Sequence, residues 1–136
     1  MTQELNEIWL ESLQQQGYRI TTPLKIIVEI MANSNLILNP TQVFLKAKNV
    51  SSNIGLVTVY RSIEKLEQAG LIERVHKPDG CQSFFHSSKG HQHLLICEKC
   101  GKAEYFEGDN LNPLFHRIGD QFGYEITNHW LQLFGN

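Results

Sequence analysis

The sequence predicts an α+β chain in two parts, helices closed by a β-hairpin over residues 1–85 and a smaller α/β part over residues 86–136. Three observations point there. Apolar residues recur at helical spacing in four segments before Gly70; two strand-like runs joined by Lys77-Pro78-Asp79-Gly80 come next; from His91 onward the order is strand, cysteine knuckle, strand, helix and strand. A chain of 136 residues suits one domain, or two very small ones sharing a core, and argues against a multidomain enzyme. With 41% hydrophobic and 19% charged residues it can bury a core, which excludes global disorder. No apolar run approaches the roughly 20 residues of a membrane-spanning helix, and the opening MTQELNEIWL carries acids where a secretion signal carries bases. A cytoplasmic protein with no membrane partner is expected.

Leu5, Ile8, Trp9 and Leu13 set a first helix over about residues 4–16, with Gly17 as its stop. Thr22-Pro23 reads as the N-cap and first-turn proline of a second helix carrying Leu24, Ile27, Val28 and Met31. Asn39-Pro40 repeats that signal for a third helix with Val43, Phe44 and Ala47. Residues 55–69 form a fourth, in which Leu56, Val59, Ile63 and Leu66 make the apolar stripe and Gly70 ends it. Thr58, Arg61, Ser62 and Lys65 are expected on its outward face, with Tyr60 on the flank. Residues 71–76 and 82–85 then read as strands around a turn.

Helices followed by a hairpin is the order of a winged helix-turn-helix, whose last helix enters the DNA major groove while the hairpin rests near the phosphates. The net charge of −2 conceals an asymmetry that suits this reading. Residues 1–16 hold Glu4, Glu7 and Glu11 and no Lys or Arg, whereas residues 30–63 hold Lys46, Lys48 and Arg61 and no acid.

In the second part, a helix over residues 111–122 is expected to bury Leu111, Leu114, Phe115, Ile118 and Phe122, with Gly123 ending it. The final strand spans residues 124–134, and its apolar parity changes near Asn128, which implies a bulge or burial on both faces. Its aromatics suit a dimer interface or a compact monomeric core. His91 and His93 are two apart on a strand, so both imidazoles point one way, roughly 6.5–7 Å apart, and Cys97 continues that parity. Four of the six histidines (His76, His86, His91 and His93) fall within residues 76–93, close to Cys81 and Cys97. Cys97-Glu98-Lys99-Cys100-Gly101 has the form of a tetrahedral zinc corner, and no βαβ unit precedes it to make it a thioredoxin-like pair. Two thiolates are half a site. The sequence holds no second such pair, which leaves Cys81 or a histidine to complete it.

Through these residues the chain resembles the ferric uptake regulator family of metal-sensing repressors along nearly its whole length. The matching pieces are GYRITTPLKIIVEIM, LVTVYRSIEKLEQAGLIERV, GHQHLLICEKCGKAEYF and ITNHWLQLFG. The resemblance implies a winged-helix DNA-binding domain over residues 1–85 and an α/β dimerisation and metal-binding domain over residues 86–136. It implies DNA contact by Tyr60 and Arg61, within Thr58-Val59-Tyr60-Arg61, and a position near DNA for Arg19. It implies sensory ligands at His76 and His86 around the wing and hinge, at His91 and His93, and at His129, with Cys97 and Cys100 as the first half of a structural zinc site. The chain departs from the family pattern in lacking a second CxxC pair, in carrying Gln92 and Leu94 where histidine is frequent, and in placing Asn112 and Tyr105 at commonly acidic positions. His86 stands where iron-sensing members often place a carboxylate. Oxygen donors are thus replaced by nitrogen and sulfur, which favours Zn2+ over Fe2+ or Mn2+.

The expected function is a zinc-responsive repressor of metal-uptake genes that binds double-stranded operator DNA as a metal-loaded homodimer. Zinc at the hinge histidines is expected to fix two winged units at the spacing of two half-sites. An iron- or peroxide-sensing repressor is the alternative within the family. A zinc-buffering or hydrolase-like protein without DNA contact is the alternative outside it. A hydrolase needs an open metal position and an aimed general base, which Glu98 and Glu104 do not supply, so neither enzyme activity nor a small-molecule substrate is expected.

Overall fold

The computed structural model describes residues 2–87, 93–107 and 111–136, with the side chains of 2–4 excepted. Helix α1 (Thr2–Gln15) turns Trp9 and Leu13 inward, one helical turn apart, and leaves Leu5 and Ile8 exposed. Gly17, at φ +91°, ends it as expected. Helix α2 (Thr22–Ala32) buries Leu24, Ile27, Val28 and Met31. Its cap is Thr21, one residue earlier than the sequence suggested: Leu24 N donates to Thr21 Oγ1 at 3.3 Å while Pro23 sits in the first turn. Helix α3 (Pro40–Val50) starts with a reciprocal cap, Gln42 N donating to Asn39 Oδ1 at 2.8 Å and Asn39 N to Gln42 Oε1 at 2.9 Å.

Helix α4 (Leu56–Gln68) buries Val59, Ile63 and Leu66 as expected, but Ser62 is buried with them instead of facing outward. The reason is angular. At about 100° per residue Ser62 borders the arc defined by Val59, Ile63 and Leu66, about 40° beyond Leu66, Thr58 and Lys65 fall farther out on that flank, and the outward arc belongs to Val57, Tyr60, Arg61 and Glu64. Leu56, expected in the stripe, is exposed.

Strands β1 (Ile72–His76) and β2 (Gln82–His86) form the antiparallel wing, with Ile72 opposite His86 and His76 opposite Gln82. Gly80 (φ +83°) donates to Lys77 O at 3.0 Å, and Cys81 N to Asp79 Oδ1 at 2.9 Å, closing the turn. A second sheet, ordered β4-β3-β5, contains β3 (His93–Cys97), β4 (Ala103–Phe106) and β5 (Gln132–Gly135). Strand β3 is antiparallel to β4 and parallel to β5.

Two expectations fail in this half. The final strand covers Gln132–Gly135 alone, and residues 124–131 are irregular. The parity change near Asn128 marks that irregular approach, where Asn128 Oδ1 accepts from His129 N at 2.8 Å in place of a strand partner. Helix α5 (Asn112–Phe122) does not bury its apolar stripe: Leu114, Ile118 and Phe122 are exposed and Phe115 is half-buried. Gly119 is the helix residue that is buried, because the chain after Gly123 folds back over it; a Cβ there would stand 2.4 Å from Tyr124 O.

The main core gathers apolar residues of α1 to α4 with Ile72 and Phe84. A second core joins Ile37, Val75 and Phe85 to Leu94, Ile96 and Ala103, so the wing and the second sheet share buried surface. Backbone bonds reinforce the seam. Ile37 N donates to Gly101 O at 2.8 Å, Ala103 N to Asn35 O at 3.0 Å, and Leu38 and Phe84 exchange bonds of 2.9 and 2.8 Å.

Candidate functional site

The first site is the outer face of α4. Arg61 is exposed, Tyr60 is 52% and Val57 64% exposed, and Thr58 is half-buried at the rim. Val57 was missed by the stripe argument, since an apolar residue was not sought on the outer arc. Arg19 is exposed just before α2, and Lys77 on the wing turn lies 3.7 Å from Asp79. Arg74 is committed elsewhere. Its Nε and Nη2 donate to Glu67 at 3.0 and 2.9 Å, its Nη1 to Gln82, and its guanidinium lies over Phe84, so it braces α4 against the wing. The hydrogen bond to Glu67 is the main cause holding its pKa above the ordinary arginine value.

The second site is an imidazole pair. His93 Nε2 and His129 Nε2 face each other at 3.3 Å. His93 is 7% exposed, with Phe106 at its edge, and Phe115 of α5 packs on His129 at 4.5 Å between ring centroids. Two nitrogens bound at about 2.0–2.1 Å to one tetrahedral ion stand about 3.3–3.4 Å apart, so this separation fits a shared zinc. His93 Nδ1 is buried without a hydrogen-bond partner among the described residues. His91, the other member of the expected strand pair, lies outside the described residues.

His76 is exposed at the end of β1, and its N–H donates to Gln132 Oε1 at 3.1 Å. Gln132 Nε2 in turn donates to Arg74 O at 3.1 Å. His86 is half-buried, its ring 4.0 Å from that of Phe85, and burial pushes its imidazole below the ordinary range. Tyr105 Oη lies 2.7 Å from His86 O and 3.0 Å from Glu73 Oε2, which anchors the end of the wing to β4.

The third site is the knuckle between β3 and β4. Gly101 (φ +79°) donates to Cys97 O at 2.9 Å, and Cys97 N to Lys102 O at 2.8 Å. Hydrogen bonding from Cys100 N, then from the Cys100 side chain and Lys99 N, holds the Cys97 thiol below its ordinary range, which suits a thiolate ligand. Cys97 and Cys100 line a cleft of about 350 Å³ with Lys77, Pro78 and Asp79 of the wing turn; Cys81 is exposed and is not part of that lining. Among the described residues no three His, Cys, Asp or Glu side chains converge, so the imidazole pair and the thiol pair stand apart and His76, His86 and Cys81 join neither. The donors are nitrogen and sulfur, a set that fits zinc.

A winged helix joined to an α/β unit that carries imidazole and thiol pairs defines a class, a metal-responsive DNA-binding regulator. The ferric uptake regulator family model matches residues 15–134, and the chain belongs to that family, whose members are transcription regulators and not enzymes. It is 31% identical over 128 residues to the ferric uptake regulation protein of Yersinia pestis, covering 93% of this chain and 86% of that protein. The structure of the Vibrio cholerae ferric uptake regulator matches with a TM-score of 0.73 at 28% identity, over 93% of this chain and 97% of the other. A zinc uptake regulator complexed with zinc and DNA matches with a TM-score of 0.77 at 16% identity, over 99% and 91% of the two chains, a likeness of fold alone.

Proposed function

We propose that this regulator senses zinc and, as a metal-loaded homodimer in the cytoplasm, represses metal-uptake genes by binding their operators. The observation that carries the reading is the 3.3 Å approach of two nitrogen donors, His93 and His129, at the spacing one tetrahedral ion requires. Residues 1–85 carry the DNA-reading surface, with Arg61 and Tyr60 on α4, Thr58 at its rim and Arg19 before α2. Residues 86–136 carry the metal donors and the self-association surface.

Zinc bound there supplies bonds that hold the irregular segment before β5 against β3, with His91 as a third donor. Cys97 and Cys100 hold a second, structural ion. The exposed apolar residues Leu114, Ile118 and Phe122 on α5, with Tyr124 and Trp130 nearby in sequence, make a surface suited to a second copy of the chain. The wing and the second sheet share buried surface, so zinc acts on how firmly the wing is held.

The test is a gel-shift titration of the full chain on a duplex selected from random sequence, with Zn2+, Fe2+ and Mn2+ compared after chelation. The zinc reading requires tightening by Zn2+ at concentrations where the other two do nothing. Tightening by Fe2+ instead supports the iron-sensing alternative.

A further inference from the structure

We infer that Gln132 is the positioning residue that links the imidazole pair to the wing. The inference rests on the reading above, in which His93 and His129 hold the metal and the winged part binds DNA. Strand β1 pairs with β2 along one edge, and its other edge presents Arg74 O and His76 N. The half-buried side chain of Gln132 meets both, Nε2 donating to Arg74 O and Oε1 accepting from His76 N, each at 3.1 Å. The carboxamide thus does for two residues what a neighbouring strand would do. Its backbone belongs to the second sheet, where it stands opposite Leu94.

Position along the chain gives this contact its role. Gln132 is the first residue of β5, three residues after His129 and opposite the residue that follows His93. Strand β5 has four residues, lies at the edge of its sheet, and is approached through irregular chain. Such an end opens more readily than a central strand. Joining His129 to His93 closes the ladder at the end where Gln132 sits. With the ladder closed, the carboxamide is held on β1; with it open, the wing loses both bonds. The two states of this short strand are the element that metal and DNA both bias.

The test uses the full-length protein with Gln132→Leu, which removes both bonds, and Gln132→Asn, which keeps the amide but shortens its reach. Affinity for the selected duplex is measured in chelator and in saturating Zn2+. Zinc affinity without DNA is measured by competition with a chromophoric chelator, and hydrogen exchange of the His76 amide is followed with and without Zn2+. In the wild type, zinc is expected to tighten DNA binding by a factor in the roughly 5- to 150-fold range of coupled sites, and to slow exchange at His76. In both variants that factor should fall about fivefold or to unity, zinc affinity without DNA should weaken by no more than a comparable factor because the coupling is reciprocal, and protection of the His76 amide by zinc should vanish. A variant that retains the full zinc factor overturns the link while leaving the functional reading intact. A wild-type protein whose DNA affinity ignores zinc overturns both. Should the variants fail to fold, exchange in the wild type decides, because unchanged His76 protection on adding zinc rules the link out.

Discussion

Phe84 and Phe85 are consecutive residues of β2 and lie in different cores, 4% and 2% exposed. Neighbours in a strand point to opposite faces, so one closes the helical core and the other closes the core shared with the second sheet. The wing is therefore an inner layer on both sides, and its placement over the reading helix is set by packing as well as by the Arg74 brace. The following outcomes are expected from this arrangement.

Arg61→Ala should cost about 1 to 3 kcal/mol on a selected duplex and much less on a scrambled one, since a guanidinium on the outer arc of α4 has the fork that reads guanine. Lys77→Ala should weaken both and lower the salt slope by roughly one unit. A salt-titrated binding series at constant zinc separates them. Equal weakening by Arg61→Ala on both duplexes would make Arg61 a phosphate clamp and move base reading to Tyr60 or Thr58.

Replacing Cys97 and Cys100 with Ser should lower both zinc content and thermal stability, because metal held by such a knuckle contributes directly to folding. Gly101 transmits the effect, since its carbonyl accepts the 2.8 Å bond from Ile37. Atomic absorption and a melting curve check it; unaltered zinc stoichiometry refutes it.

His93→Ala and His129→Ala should behave in the opposite way. The variants should fold, keep the knuckle's zinc and lose zinc-dependent DNA binding. Full metal response in either variant would remove that histidine from the sensory site.

Ser62→Arg should destabilise the chain by roughly 2 to 5 kcal/mol, since it drives a charge into the arc beside Val59 and Leu66. Lys65→Ala, on the flank of the same helix, should stay within about 0.5 kcal/mol. Urea unfolding measures both, and comparable small effects would return Ser62 to the outer face.

Acid should weaken the metal-free protein partly through His86. Burial depresses its folded pKa, so the neutral ring's contribution is complete above the unfolded value of about 6.5 and is lost as pH falls through the folded pKa. His86→Phe should flatten that part of the stability profile; an undiminished slope would assign the acid sensitivity to another group.

Local signals carried the helical half of the sequence reading. Asn39-Pro40 and Gly17 act within one turn of their own positions, so their roles are visible in the chain itself. Ser62 was misplaced because four residues chosen for polarity do not share a narrow arc, and a buried serine carries no hydropathy signal. Helix α5 reads as a core helix because periodicity reports that an apolar stripe needs covering and not which molecule covers it. The placement of His93 and Cys97 on one strand was legible from the alternation of the sequence. Gln132 was not, since a side chain that imitates backbone looks like any polar residue in a short strand.

The seam between Ile37 and Gly101 also has a meaning for how the chain is made. The helical half leaves the ribosome first and can close its main core, yet in the second core Val75 and Phe85 are joined by Ile37 alone until residues 94–103 follow. For that interval the nascent wing carries a partly bare apolar face, and the backbone bonds beside it, Ile37 to Gly101 and Ala103 to Asn35, join residues 64 and 68 positions apart. Synthesis order and contact order thus pull in opposite directions. The winged part completes its own packing only when the residues beside the cysteine knuckle arrive.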